Sequence, residues 1–346
     1  MQAILSVTIP FFALVLCGYL AARQKVLPEA AIPGLNTFVL FFALPCLLFR
    51  FGSSMPFKQL IDPVLIGIYA ASALVIVFFT VMLTWRLREI EQGVDLKNAA
   101  FGALVAAFPN TGFMGVPLLV ALLGQAAAGP VIGTVLVDLV LTSTLCIALA
   151  QVQPTAGNSS TSSSTWHTVS RSLRGALTNP LPWAIGLGAL VAALNISLPG
   201  PAAQVIKMLA DAASPVALFT IGAVLWRSGQ HSPALGKSHQ TPLRHVVPVA
   251  LIKLLLHPLL VLLVGWMARA LGLPVSSFGL TVLVLAAALP SASNVSLLAE
   301  RYGADNGRVA RIIMASTVLA FVTFSVLAWL LGAGQGAGAS SIRGVG

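Results

Sequence analysis

The chain has 346 residues, of which 58% are hydrophobic and 8% charged, and its formal net charge is +10. Soluble domains carry about 25% charged residues, so this composition excludes a soluble globular protein and predicts a polytopic membrane protein in contact with a lipid bilayer. The basic excess lies in short segments between apolar runs, which is how cytoplasmic loops read, and excludes nucleic acid as the partner.

Apolar runs long enough to cross a bilayer predict about ten helices, near residues 3–21, 32–50, 63–85, 98–122, 129–150, 178–197, 203–226, 246–271, 277–299 and 309–332. The first run has no basic segment before it and is followed by Arg23 and Lys25, so it reads as a retained span rather than a signal peptide. The second carries Ala-Leu-Pro-Cys-Leu-Leu-Phe-Arg-Phe-Gly around Pro45, and the seventh repeats that pattern as Ala-Ser-Pro-Val-Ala-Leu-Phe-Thr-Ile-Gly around Pro215.

The fourth span is interrupted. Residues 106–118 read Ala-Ala-Phe-Pro-Asn-Thr-Gly-Phe-Met-Gly-Val-Pro-Leu. Pro109 and Pro117 lack a donor and Gly112 and Gly115 relax the helix between them. In hydrocarbon such freed backbone groups need a protein partner or a wet cavity. The fifth span holds Asp138 mid-run. A Ser/Thr-rich tract over 151–176 follows and reads as a flexible linker. It divides the chain into a first unit, 1–150, and a second, 177–332, of five spans each. An odd number of spans per unit gives the two units opposite orientations, the inverted-repeat architecture. Residues 333–346, rich in Gly and Ala, read as a flexible tail.

In the second unit, Asp211 lies early in the seventh span, and Lys253 and His257 share a face of the eighth. The ninth span is broken like the fourth: residues 286–298 read Ala-Ala-Ala-Leu-Pro-Ser-Ala-Ser-Asn-Val-Ser-Leu-Leu, with Pro290 at the break. Paired breaks in corresponding spans of two halves predict helices crossing at the bilayer midplane around a transport site.

Thirteen of the 19 Lys and Arg residues fall in loops on one side, Arg301, Arg308 and Arg311 among them, and five on the other. That bias puts both termini outside the cytoplasm. Cys17, Cys46 and Cys146 lie in apolar runs without disulfide or metal-ligand spacing. No phosphate loop, zinc signature or nucleophile elbow occurs, so an enzyme is not expected, nor a metal or other cofactor.

Half-helix N-termini direct positive dipole ends and unpaired N–H groups at the midplane. With Asn110, Thr111, Gly112, Ser291, Ser293 and Asn294 they suit an anionic ligand, most simply a carboxylate. Ordinary kinked membrane helices also carry such residues, with Ser and Thr bonding the freed carbonyls, but a symmetric pair favours a site. Asp138, Asp211 and Lys253 are candidates for charge compensation or for coupling to H⁺ or Na⁺, because an ionisable group at membrane depth must find a partner.

These residues also carry a family resemblance. Pro109-Asn-Thr-Gly-Phe-Met-Gly-Val-Pro-Leu118 resembles the fourth-helix signature of the auxin efflux carrier family. Leu16-Cys-Gly-Tyr-Leu20, Asn36 with the run ending at Pro45, Pro290-Ser-Ala-Ser-Asn294 and Ala299-Glu-Arg-Tyr-Gly303 resemble its other signatures. Among bacterial members the chain is similar to malonate and dicarboxylate permeases. The resemblance implies a fold like that of bile acid sodium symporters, with a transport domain moving against a scaffold domain through which a homodimer forms. It maps the family's crossover asparagines onto Asn110 and Asn294. The expectation is thus a bacterial inner-membrane carrier of a small mono- or dicarboxylate such as malonate or malate, working by alternating access. An anion sensor or scaffold without net transport, and an anion channel, are the alternatives.

Overall fold

A computed structural model describes residues 1–54, 61–90, 94–151, 180–230 and 243–333. Most of the linker, 152–176, and residues 334–346 of the tail lie outside the described residues. The protein is an all-α polytopic membrane protein. Among the described residues, seven helices are long and apolar enough to cross a membrane: α1 (Gln2–Arg23), α2 (Glu29–Ser54), α3 (Pro63–Thr84, helical on to Ile90), α6 (Gln125–Gln151), α8 (Gly200–Arg227), α9 (Val246–Ala270) and α12 (Asn306–Leu330). Shorter apolar helices are α4 (Leu96–Ala107), α5 (Thr111–Leu123), α7 (Pro180–Ala193) and α10 (Ser277–Ala287). The short α11 (Asn294–Arg301) completes the ninth span.

The helices pack in two groups. α1 lies on α8 and α7 on α2, with α2 also against α8. The second group gathers α3, α4 and α6 with α9, α10 and α12. The first is held by glycines that let backbones approach, as in membrane helix pairs generally. A Cβ at Gly18 would lie 1.9 Å from the Phe219 carbonyl oxygen, and one at Gly222 1.9 Å from that of Val15. At Gly188 it would lie 2.3 Å from the Phe49 oxygen, and at Gly52 2.7 Å from that of Ile185. Each participant of one crossing recurs 170 positions later in the other: Gly18 and Gly188, Gly52 and Gly222, Phe49 and Phe219, Val15 and Ile185. The glycine that ends the repeated Pro45 and Pro215 motifs is therefore a contact glycine in both.

A direct consequence concerns α7. Gly188→Ala drives a methyl into backbone, whereas Gly186, one turn position away, faces open space. The expected result is a clear fall in unfolding temperature for Gly188→Ala, from overpacking worth about 1–3 kcal/mol, and none for Gly186→Ala, measured on purified protein in detergent. Equal behaviour of the two would remove the close-packing account.

Candidate functional site

Pro109 ends α4. Its ring pushes the preceding residue out of the helical region, and Phe108 is extended, with φ −101° and ψ 96°. α10 ends at Ala287, three residues before Pro290, and the two broken segments run antiparallel across one another. The Asn110 N–H donates to the Pro290 carbonyl at 2.8 Å and the Ala292 N–H to that of Phe108 at 3.0 Å. This is an isolated β-bridge between Pro109 and Ser291. Each break thus supplies partners for the other, which meets the requirement that backbone polar groups in the membrane be satisfied by protein. Ser291 ties the crossing down: its N–H donates to Ser316 Oγ of α12 at 3.2 Å, and its hydroxyl donates to the Val105 carbonyl at 2.9 Å.

α5 and α11 both begin at this crossing. α5 opens with a π-helical turn, Thr111–Gly115, in which the Asn110 carbonyl accepts from both Met114 N and Gly115 N. Pro117, expected as a second break, lies instead in the first turn of the α-helical stretch Val116–Leu123, and the helix continues through it. The amides of Gly112 and Phe113, and of Ser293 and Asn294, find no acceptor among the described residues. Asn110 Oδ1, Thr111 Oγ1 and Asn294 Oδ1 are buried without partners, three of six such atoms in the described side chains. Ser293 precedes α11 without capping it. Gly112 adds room, since nothing lies within 4 Å of the place a Cβ would take. Buried polar groups are normally paired, so a concentration of unpaired ones at two helix N-termini makes the crossing the candidate site among the described residues.

Beside the crossing is a buried ionisable cluster. Asp138 opens a π turn in α6 (Asp138–Thr142), and Lys253 lies in one in α9 (Ile252–Leu256); such turns gather at functional sites. Tyr69 of α3 donates its hydroxyl to Asp138 Oδ2 at 3.0 Å, and Thr142 donates to Oδ1 at 3.3 Å. Lys253 Nζ donates to the Ala287 carbonyl and lies 3.4 Å from His257 Nδ1. The lysine thereby caps the negative end of α10, three residues ahead of Pro290. Asp138 and Lys253 sit within electrostatic reach of one another but form no direct ion pair. The His257 ring lies 5.7 Å from that of Tyr69, which brings His257 into the cluster.

Asp211 is elsewhere. Its side chain is half exposed and pairs with Arg50 of α2 at 2.7 Å and with Lys207 one turn earlier at 3.0 Å. The structure joins it to the α2–α8 surface and not to the crossing. Arg308, expected in a loop, is a buried residue of α12; the helix begins three residues earlier than the apolar run suggests, capped by Asp305.

A family of membrane transport proteins matches residues 3–328. The chain belongs to this family. Its members are transporters and not enzymes, and the crossing lies inside the matched region. The chain is 28% identical over 338 residues to a protein of Rhizobium meliloti (strain 1021) named "Putative malonate transporter", covering 96% of this chain and 98% of that one. It is 26% identical over 330 residues to the "Uncharacterized transporter YfdV" of Escherichia coli (strain K12), covering 93% and 95%. Over 167 residues it is 28% identical to "Auxin efflux carrier component 8" of Arabidopsis thaliana, covering 48% of this chain and 45% of that one. The auxin efflux carrier resemblance and the reading as a membrane transporter therefore stand.

Proposed function

We propose that this transporter is a secondary carrier of small carboxylates, malonate foremost, working by alternating access at the bacterial inner membrane. The observation that carries the reading is the pair of half-helix N-termini at the crossing, with four amides that find no acceptor among the described residues and, beside them, the Thr111 hydroxyl and the Asn110 and Asn294 side-chain amides, whose N–H groups can donate. N–H donors and dipole ends favour an anion there, and no fixed positive charge is needed. Ser291 holds the crossing together, and Ser293 and Gly112 flank it, Gly112 with open space beside it. The malonate name of the Rhizobium relative supports the substrate class.

On this reading the ten spans form two inverted five-helix repeats, an arrangement that the recurrence of the glycine contacts after 170 positions supports. The group of α1, α2, α7 and α8 is the scaffold, suited to a homodimer, and the second group moves. The bias of basic residues supports termini outside the cytoplasm. Asp138 and Lys253 compensate charge or couple movement to H⁺ or Na⁺. Asp211 has no part in transport: Asp211→Asn removes an exposed pair, which is worth little. It should leave unfolding stability and half-saturating substrate concentration unchanged within error in paired denaturation and uptake assays.

The test is counterflow. Proteoliposomes preloaded with malonate are expected to accumulate labelled malonate, and empty ones to take up far less. Thermal stabilisation by malonate without flux would instead indicate a sensor, and rapid flux without dependence on preload a channel.

A further inference from the structure

Arg308 is 6% exposed, and its Nε is buried with no partner. A guanidinium offers five N–H donors and stays charged at any physiological pH. Here a single bond is made, from Nη1 to the Asn98 carbonyl at a long 3.4 Å. Nη2 passes beside Gly102 of α4, 3.6 Å from where a Cβ would stand. Among the described residues, two carboxylates share this corner and both serve as helix caps: Asp95 accepts from Asn98 N at 2.9 Å, and Asp305 accepts from the Arg308 N–H at 2.9 Å. Neither forms an ion pair with the guanidinium. Asp305 lies within electrostatic reach without a direct pair, so among the described residues the buried guanidinium, which has no neutral form, keeps most of its donors unsatisfied, and that is costly.

The geometry points to Arg308 as a second carboxylate-binding station, separate from the crossing and on the side of the membrane that carries the basic loops. Gly102 and Asn98 precede Phe108 by six and ten residues, which at 1.5 Å per residue places the guanidinium roughly 9–15 Å along α4 from the crossing. Lys97 reaches into the same corner, its Nζ 4.0 Å from a Cβ position on Gly303. An anion leaving the crossing along α4 toward this side meets a fork that matches a carboxylate in two parallel hydrogen bonds. The assignment rests on the carrier reading for the identity of the anion, not for the existence of the station.

The experiment uses the purified full-length protein and malonate as probe, reading the rise of unfolding temperature with malonate concentration. Asn110→Ala is expected to keep part of that rise. Adding Arg308→Gln in the same background abolishes it, and adding Arg308→Lys, which keeps the charge but loses the fork, raises the half-maximal concentration roughly tenfold, the equivalent of about 1.4 kcal/mol. A residual rise that survives either second substitution unchanged, or that Asn110→Ala alone eliminates, overturns the station, as does a wild-type protein that malonate does not stabilise. A purely structural clamp lowers unfolding temperature without ligand and leaves the malonate-dependent rise intact. Where Arg308→Gln fails to fold, Arg308→Lys decides. A wild type and an Asn110→Ala variant stabilised equally, both sensitive to Arg308, would leave the station standing while removing the crossing as the carboxylate site.

Discussion

Asn110→Ala and Asn294→Ala are each expected to raise the half-saturating malonate concentration in counterflow by roughly 10–150-fold, the equivalent of one hydrogen bond to a charged group at about 1.5–3 kcal/mol. Neither should destabilise the ligand-free protein. Each amide now buries an oxygen without a partner, so truncation removes an unsatisfied group instead of breaking a bond, and the unfolding temperature holds or rises. That combination separates a binding residue from a structural one. Ser291→Ala is the counterpart: its hydroxyl bonds the Val105 carbonyl, and its removal lowers stability. Wild-type kinetics in both asparagine variants, or a loss of folding in either, would take the carboxylate away from the crossing.

Lys253→Met carries the other large effect. The ammonium bonds the last carbonyl region of α10 and offsets Asp138. Removing it leaves Asp138 without the nearby charge that offsets it and the Ala287 oxygen without its donor, at about 1–3 kcal/mol for each buried group left unsatisfied. Lys253→Met should therefore unfold at markedly lower denaturant concentration and transport nothing. The double variant Asp138→Asn/Lys253→Met is expected to regain part of the stability, since the charge left behind has gone while the Ala287 oxygen stays unpaired, and to stay inactive. A coupling energy of about 0.5–3 kcal/mol in the resulting cycle would show that the two groups act on one another across α6 and α9. A double variant no more stable than Lys253→Met would mean that Asp138 is satisfied by Tyr69 and Thr142 alone.

The crossing was legible because proline and glycine inside an apolar run have a single physical consequence, a freed backbone, and two such runs imply mutual repair. The register was not: nothing in the residues says that Asn110 N–H meets the Pro290 oxygen. Pro117 shows the limit of the same rule, since α5 continues through it from the π turn into the α-helical stretch. Asp211 was misplaced because its partner Arg50 lies 161 positions away, and a carboxylate in an apolar run looks the same whether it faces a pocket or an exposed pair. The π turns at Asp138 and Lys253 left no trace, as an extra residue per turn is imposed by packing. Arg308 was hidden by counting an arginine as loop; Asp305 as an N-cap was the available signal that the helix starts sooner. The Pro45 and Pro215 motifs pointed to a repeat, but only the contacts show why their glycines recur.

The most direct test of the central claim is backbone hydrogen exchange of the purified protein with and without saturating malonate. Protection rising in both peptides spanning 110–116 and 291–297, whose free amides would then be bound, is the predicted result. Exchange unchanged in both, with flux intact, would contradict it and place the carboxylate outside the crossing.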